Sequence, residues 1–237
     1  MKPSSIFILL LFFILASCSV ETQKTNPVND QLIQYIQKRY KTSEVSSIIG
    51  SESKNGKTNT SLLITVGKSN VIDSSKSDPQ LFASDIAFRQ FCDMKEQERK
   101  KYDMITVKIN QRNKVTEVNY TKEKLLEVNV NLLWLDGFFR LIEEKEYALA
   151  KTQFNPKLVD TSTVELESIF EAVHTNLGKL NRHELQGFEI RDIKVDGKTY
   201  RVLQANYIFF YDEHYTQAKY AVLMDEPEQK LVNFLIQ

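Results

Sequence analysis

Two kinds of hydrophobic spacing alternate along the chain and predict its secondary structure. Apolar residues at steps of three and four, typical of amphipathic helices, recur in the stretches 30–40, 81–92, 132–154 and 161–180. Apolar residues that alternate with polar ones, typical of half-buried strands, occupy 62–66, 105–109, 115–120, 183–195, 199–211, 215–224 and 230–236. The pattern changes near residues 120–124, from a mixed order in the first half to helices followed by strands in the second.

The first half is predicted to be a small α+β unit with the order helix, strand, helix, strand, strand. Its second helix has a clear start, because Asp78 is a favourable N-cap and Pro79 suits the first helical position. The stretch Ser43–Asn59 is rich in serine, lysine and glycine and predicts a break in regular structure. The charged run Lys95–Lys101 predicts a solvated helix end, with a contact surface as the alternative.

The second half is predicted to place helices on one side of a curled antiparallel sheet, which again gives an α+β architecture. Asn155-Pro156 ends its first helical region, because proline supplies no amide donor and restricts the residue before it. Asp196-Gly197 predicts a tight hairpin between the first two strands, and Glu226–Gln229 is expected to join the last two.

An apolar run, Ile6–Leu15, leads into the sequence Leu-Ala-Ser-Cys that ends at Cys18. A membrane-spanning helix needs about 20 apolar residues, so this run predicts a cleaved signal and not a permanent span. Its end resembles the lipobox of bacterial lipoproteins, in which the cysteine receives diacylglycerol and becomes the first mature residue. The resemblance implies a signal peptide over 1–17 and a lipid on Cys18. The alternative is an ordinary secretory signal that is cut near Ser17.

The segment 18–29 is polar and contains Pro27, so it predicts a flexible tether between the lipid and the folded chain. The rest divides into a small α+β domain over 30–121 and a second α+β domain over 122–237. We expect the lipid on Cys18 to attach the protein to a membrane, so the membrane is one expected binding partner. Ser19 in place of aspartate after the cysteine favours the outer membrane, with the protein facing the periplasm or the exterior.

Charge and cysteine content narrow the function classes. The chain has 31 lysines and arginines and 31 aspartates and glutamates. This balance argues against a nucleic-acid partner, because nucleic-acid binding normally needs a positively charged protein surface. Lipidation of Cys18 leaves Cys92 alone, so we expect no disulfide and a small buried hydrophobic role for Cys92. Scattered glycines form no phosphate-binding loop, and no histidine pair has zinc-ligand spacing, so neither a cofactor nor a metal is expected.

The second half is similar to the NTF2-like family, also described as cystatin-like, in which helices pack into a cone against a strongly bent sheet. The resemblance rests on the helical stretch 132–154, with Glu144–Ala150 before a proline, on the helix 162–180 and on the terminal strands. It implies an NTF2-like domain over 122–237 and suggests a homodimer paired through the sheets. It implies no particular activity, because this fold serves isomerases, dehydratases, binding modules and assembly domains.

Enzymes of this family use an acid or base inside the cone together with groups that stabilise an oxyanion. The corresponding candidates here are Asp136, His183, Tyr207, Tyr211 and His214. Tyr207 and Tyr211 share one strand face with large apolar residues. Such tyrosines usually pack with their hydroxyls at the rim of the core, so packing is the favoured interpretation.

The sequence therefore favours a non-enzymatic lipoprotein of the cell envelope that presents its cavity or sheet to a small apolar ligand or to an envelope protein. The alternative is a lipid-anchored isomerase or lyase. That alternative predicts that Tyr207 and Tyr211 enter one closed pocket, with an acidic residue within hydrogen-bond reach.

Overall fold

The computed structural model describes residues 28–54, 57–212, 214–224 and 230–236. Helices and strands both contribute large shares, and the strands form two sheets of four strands each, so the α+β prediction is confirmed. The helices are α1 Asp30–Tyr40, α2 Asn70–Ser74, α3 Pro79–Asp93, α4 Glu96–Arg99, α5 Lys122–Glu143, α6 Tyr147–Lys151 and α7 Leu166–Leu177, with a 3-10 turn at Thr161–Thr163. The strands are β1 Val45–Lys54, β2 Lys57–Val66, β3 Met104–Gln111, β4 Lys114–Thr121, β5 Leu180–Val195, β6 Lys198–Tyr211, β7 Tyr215–Leu223 and β8 Lys230–Ile236.

The first sheet has the strand order β1-β2-β3-β4 and contains one parallel pair, β2 with β3. Parallel neighbours need a long crossover, and α2, α3 and α4 supply it. The buried face is aliphatic, because Leu62, Ile64 and Val66 of β2 lie beside Ile105, Val107 and Ile109 of β3.

The break predicted over Ser43–Asn59 is wrong for most of its length. This stretch contains β1 and the start of β2, which pair antiparallel from Val45 opposite Val66 to Lys54 opposite Lys57. Strand pairing uses main-chain groups, so polar side chains do not prevent it at a sheet edge, where one face stays in solvent. Val45, which lies opposite Val66, packs against the core and supplies an apolar position that the predominantly polar composition concealed.

Helix α3 begins as predicted, since the Asp78 side chain accepts a hydrogen bond from the backbone amide of Gln80 at 2.9 Å and Pro79 is its first residue. The charged run after it forms the separate short helix α4, in which Glu96 and Lys100 make a largely exposed ion pair of 2.7 Å.

The second sheet is an antiparallel meander with the order β5-β6-β7-β8. Asp196 and Gly197 form the predicted hairpin between β5 and β6, and both have positive φ, 49° and 77°, as a type I′ turn requires. The predicted connection Glu226–Gln229 lies outside the described residues.

Helix α5 begins well before the predicted helical stretch 132–154. Thr121 caps it by accepting from the amide of Lys124, and Leu125 and Val128 extend the apolar stripe upstream. The first turn of α5 contains two lysines and a glutamate, and in the sequence these charged residues indicated a boundary between two elements. The predicted stretch also divides, because α5 ends at Glu143 and the short α6 follows a residue with positive φ, Lys145.

Buried side chains from both halves form one continuous core. Helix α3 packs on β3 of the first sheet and on β5 of the second. Gly187, which lies at a β-bulge of β5, allows this approach because it has no side chain: a side-chain carbon added there would lie 2.2 Å from the carbonyl oxygen of Leu81. Next to the bulge, the amide of Phe188 donates to the Ser84 hydroxyl at 2.8 Å. The division into 30–121 and 122–237 stays a prediction, with α5 beginning at its proposed boundary.

The predicted signal peptide and the Cys18 lipidation site lie outside the described residues. The end of the proposed tether is folded: Val28 is 3% exposed, and Asn29 caps α1 by accepting from the amide of Leu32 at 2.7 Å. Among the described residues, no helix is both long enough and apolar enough to cross a membrane.

Candidate functional site

Three of the predicted catalytic candidates meet on one side of the second sheet. Asp136 of α5 lies 3.3 Å from Nε2 of His183 on β5, and the His183 ring is 5.7 Å from that of Tyr207 on β6. The carboxylate of Asp136 is 53% exposed and the imidazole of His183 is 26% exposed. The pair therefore lies at the surface, above a buried phenol.

Tyr207 belongs to the core of the second half. It is 4% exposed, and burial, followed by the negative charge of Asp136, raises the pKa of its hydroxyl well above the ordinary value. Its ring packs against Phe139 at a centroid distance of 5.1 Å and against Phe209 at 6.0 Å. Tyr207 is therefore a neutral packing residue whose ring lies beneath the Asp136–His183 pair, next to the His183 ring.

The other two candidates lie elsewhere. Tyr211 and His214 bracket the turn between β6 and β7, where the amide of Tyr211 donates to the carbonyl of His214 at 2.8 Å. Burial, with the charge of Glu143 adding to it, raises the pKa of Tyr211 to about 12. Among the described residues, Tyr211 lines a small apolar cavity of the second half and Tyr207 lines a different one, so neither cavity is the predicted single pocket for both tyrosines.

The interior of the second half is filled by aromatic rings. Phe139 alone has ring neighbours at 4.9 Å (His183), 5.1 Å (Tyr207), 5.3 Å (Phe209) and 4.9 Å (Tyr220). The cavity that remains among α5, α7 and the sheet measures about 20 Å³. This volume has room for about one water molecule.

A second constellation, which the sequence did not reveal, lies where the two halves meet. Asp85 of α3 is 2% exposed, and its Oδ2 accepts from the hydroxyls of Tyr35 at 2.7 Å and Tyr40 at 2.6 Å, both on α1. Arg39, on the same helix, brings Nε to 3.5 Å from that oxygen. We call Tyr35, Arg39, Tyr40 and Asp85 the junction cluster. One buried carboxylate thus organises three side chains of a neighbouring helix.

Arg39 extends the junction cluster to the second sheet. Its guanidinium donates to Gln186 and lies 3.6 Å from Glu184, both on β5. Burial is the largest influence on Arg39 and tends to lower its pKa, but Asp85, Tyr40 and Tyr35 together outweigh burial, so the pKa is raised. The group therefore stays cationic, and its orientation is fixed from both sides.

The tyrosines of the junction cluster are held neutral. Burial first and the charge of Asp85 second raise the pKa of Tyr35 and of Tyr40 above the ordinary tyrosine value. The guanidinium of Arg89 lies 3.7 Å from the centroid of the Tyr35 ring, which is a close cation–π contact. A neutral phenol is needed here, because only the protonated hydroxyl can donate to Asp85.

A cleft of about 400 Å³ opens beside the junction cluster, between α1 and α3 on one side and β6 and β7 on the other. Apolar residues such as Phe82 line part of its wall. The polar side chains among its lining residues are Arg39, Tyr40, Ser77, Gln186, Asn206, Tyr207, Gln217 and Lys219. Two of them are cationic, and no carboxylate is among the described lining residues. The cleft is therefore rich in hydrogen-bond donors and suits an oxygen-rich, negatively charged ligand.

Two signals in the sequence could have identified the junction cluster. Asp85 lies within an apolar helical stretch, between Ser84 and Ile86, where a charged side chain needs a partner. Arg39 follows Tyr35 at a spacing of four residues, which places these two side chains next to each other on α1, and Tyr40 is the next residue along the helix. These signals do not show that α1 packs against α3, which is the contact that brings Asp85 to the side chains of α1.

Cys92 is exposed, so the expectation of a buried hydrophobic role is wrong. In an α-helix each residue turns the side chain by about 100°, and Cys92 faces away from its buried neighbour Phe91 in the last turn of α3. Within the described ranges, no three histidine, cysteine, aspartate or glutamate side chains are grouped so that they could hold a metal ion.

Comparison of the chain with protein-family models, with curated proteins and with solved structures finds no match in any of the three.

Proposed function

We propose that the protein is a lipoprotein, tethered to a membrane through Cys18, that binds a small anionic ligand in the cleft beside the junction cluster. The observation that carries the binding proposal is the cleft itself, about 400 Å³ in volume and lined by Arg39, Lys219 and several amide side chains. A binding cleft of this size accommodates a small metabolite. The ligand class is one with carboxylate or phosphate oxygens.

The junction cluster supports this proposal because it prepares Arg39 for binding. Asp85 and Glu184 hold the guanidinium from two sides, and both lie within 3.6 Å of it. A side chain that is already ordered loses less conformational freedom when a ligand binds. Lys219 is exposed on β7 and adds a second positive charge at the cleft.

The cleft is a better site than the interior of the second half. The interior cavity of about 20 Å³ has no room for an apolar ligand unless the aromatic rings move. The NTF2-like assignment remains part of our proposal, supported by the order α5, α6, α7 and then the meander β5 to β8. In this protein we assign that domain a structural role, as one wall of the cleft.

The lipobox resemblance at Cys18 supports the membrane anchor, and Ser19 supports the outer membrane of a cell envelope. Intact mass spectrometry of protein purified from membranes tests the anchor. A diacylated or triacylated Cys18 terminus that disappears in Cys18→Ala is the expected result. An unmodified chain that is cut near Ser17 would overturn the anchor but leave the cleft untouched. Membrane fractionation then distinguishes the outer from the inner membrane.

Isothermal titration calorimetry tests the cleft, with succinate, citrate and inorganic phosphate as anionic probes and glucose as the neutral comparison. We expect saturable binding of at least one anion and weaker binding by Lys219→Ala. Lys194→Ala is the matched control, because Lys194 is an exposed strand lysine that does not line the cleft. Equal loss in both variants, or binding of none of the three anions, would contradict the proposed ligand class.

A second candidate function is the isomerase or lyase alternative, favoured by the 3.3 Å contact between Asp136 and His183 above Tyr207. A carboxylate that orients an imidazole is a common general-base arrangement. Exchange of carbon-bound protons in a panel of small ketones, followed by NMR in heavy water, tests it. Exchange that Asp136→Asn and His183→Gln abolish, while anion binding in the cleft persists, would establish this activity. If the unaltered protein catalyses no exchange, the isomerase or lyase alternative is wrong.

A further inference from the structure

Helix α5 carries an apolar stripe on its solvent side that no described residue covers. Leu126 is 45% exposed, Val130 is 52% exposed and Leu133 is 61% exposed. Their spacing of four and three residues places them on one face of the helix. Gly137 continues the same face, and a side-chain carbon added there would meet nothing within 4 Å. The stripe is therefore an accessible apolar surface that ends in a shallow recess.

The stripe is flanked by one charge of each sign. Glu123 lies in the first turn of α5 and Arg140 in its last turn, and both are exposed. Within the described part of the chain, neither side chain has an ion-pair partner. They are 17 positions apart along the helix, which is about 26 Å at 1.5 Å per residue.

The order of these residues is self-complementary. If two α5 helices lie antiparallel about a twofold axis midway between Val130 and Leu133, Val130 meets Leu133 of the second copy. The same axis places Leu126 opposite Gly137 of the second copy. A large side chain then faces a recess, as in the packing of ridges into grooves.

The charges obey the same symmetry. Glu123 and Arg140 are equally distant from the axis, so Glu123 of each copy faces Arg140 of the other. A twofold dimer repeats every contact, so the antiparallel arrangement forms two ion pairs and brings no like charges of this set together. A parallel arrangement would place Glu123 beside Glu123 and Arg140 beside Arg140.

We propose that the stripe formed by Leu126, Val130, Leu133 and Gly137 is the contact surface of a homodimer, in which two copies of this chain pair through antiparallel α5 helices with Glu123 facing Arg140. This interface does not depend on the proposed lipid anchor or ligand. It also differs from pairing through the sheets, which the family resemblance suggested. A contact made by one helix pair is smaller than a standard interface of about 1,600 Å², so the dimer is a weak one.

Sedimentation equilibrium on the mature chain 18–237 with Cys18→Ala, which carries neither the lipid nor the apolar run Ile6–Leu15 and so needs no detergent, tests the proposal. We expect a monomer–dimer equilibrium in the micromolar range. Leu133→Asp should raise the dissociation constant at least about tenfold, since it places a charge in the apolar contact. Leu149→Asp is the matched control, because Leu149 is 50% exposed on α6, away from the stripe, and should leave the constant unchanged.

A charge swap tests the orientation of the helices. Glu123→Arg places two arginines together at each end of the contact and should weaken the dimer about fivefold or more. The double variant Glu123→Arg with Arg140→Glu restores opposite charges and should bring the constant back to within about threefold of the starting value. Circular dichroism confirms that each variant is folded, as expected for exposed positions.

A protein that stays monomeric at several hundred micromolar would overturn the proposal. A dimer that Leu133→Asp leaves intact would overturn it in favour of another surface, such as the second sheet. A dimer that the charge swap fails to restore would overturn the antiparallel arrangement.

Discussion

The aromatic interior of the second half and the junction cluster both contain tyrosines, and the two regions hold them differently. In the second half, Tyr207 and Tyr220 lie among phenylalanine rings and contact each other at a centroid distance of 6.2 Å. In the junction cluster, the hydroxyls of Tyr35 and Tyr40 both donate to Asp85. The first region is stabilised mainly by the burial of ring surface, and the second depends on the position of one carboxylate.

This difference explains where open space remains. Aromatic rings fill the second half because apolar contacts are non-directional and can adjust until voids close. The junction cluster cannot close in this way, since hydrogen bonds fix the positions of Arg39 and the two tyrosines. A cleft of about 400 Å³ lies beside it, whereas the cavity in the aromatic interior measures about 20 Å³, and this difference is why we propose the cleft as the ligand site.

Phe139→Ala tests the aromatic region and should have the largest effect. Phe139 is 3% exposed and contacts five aromatic rings, so its removal leaves a cavity that the neighbouring rings can fill only in part. We expect the free energy of unfolding to fall by about 3–5 kcal/mol in urea denaturation. Tyr215→Ala is the control, because Tyr215 is 65% exposed and its loss should cost less than about 0.5 kcal/mol. A loss below about 1 kcal/mol for Phe139→Ala would mean that the rings are loosely packed.

Asp85→Asn tests the junction cluster and should have the next largest effect. The carboxylate of Asp85 faces Arg39 and accepts hydrogen bonds from two tyrosines. The amide of asparagine retains the size of this side chain but removes its negative charge. We expect a loss of about 2–3 kcal/mol in the free energy of unfolding. Asp93→Asn on the same helix, where the aspartate is exposed, is the matched control and should have almost no effect. Equal stability of the two variants would show that the carboxylate does not organise the junction.

Much of the fold followed from the sequence, and the exceptions have physical causes. Helix α1 and the four strands of the second sheet were predicted nearly to their ends, because strong apolar periodicity and the Asp196-Gly197 turn marked them. Strand β1 was missed because a sheet edge needs main-chain pairing more than apolar side chains. The early start of α5 was missed because its first turn is charged.

The candidate site was less predictable, since it depends on contacts between distant segments. The sequence supplied Asp136, His183 and Tyr207 as separate candidates, and the pairing of α5 with β5 and β6 brought them together. Asp85 and Arg39 are separated by more than forty positions along the chain and meet only because α1 packs on α3. No local pattern contains that information.

Alkaline pH should destabilise the protein, and Tyr40→Phe should make the effect smaller. Burial raises the pKa of Tyr40 in the folded state above the ordinary value of 10.0. Below about pH 10 both states keep the proton and stability does not change through this group. Above it the unfolded chain releases the proton first, so the free energy of unfolding falls by up to about 1.4 kcal/mol per pH unit for each such tyrosine.

Urea denaturation at pH 8, 10 and 11 measures this dependence. Tyr40→Phe removes one ionisable group, so its curve should fall less steeply above pH 10 even though it starts lower through the lost hydrogen bond to Asp85. Parallel curves for the two proteins would show that Tyr40 ionises equally in the folded and unfolded states.

Gly137→Ala should have the smallest effect on the folded monomer and should act in the stabilising direction. Gly137 lies inside α5 with open space where a methyl group would be placed, and alanine lowers the entropy of the unfolded chain. In dilute protein we expect a gain of about 0.5–1 kcal/mol in the free energy of unfolding. In concentrated protein the same methyl group would fill the recess that faces Leu126 of a second copy, so the dimer should weaken while the monomer gains stability. Opposite changes in the two measurements separate the contact surface on α5 from the stability of the helix itself, and a loss of monomer stability would contradict the open environment of Gly137.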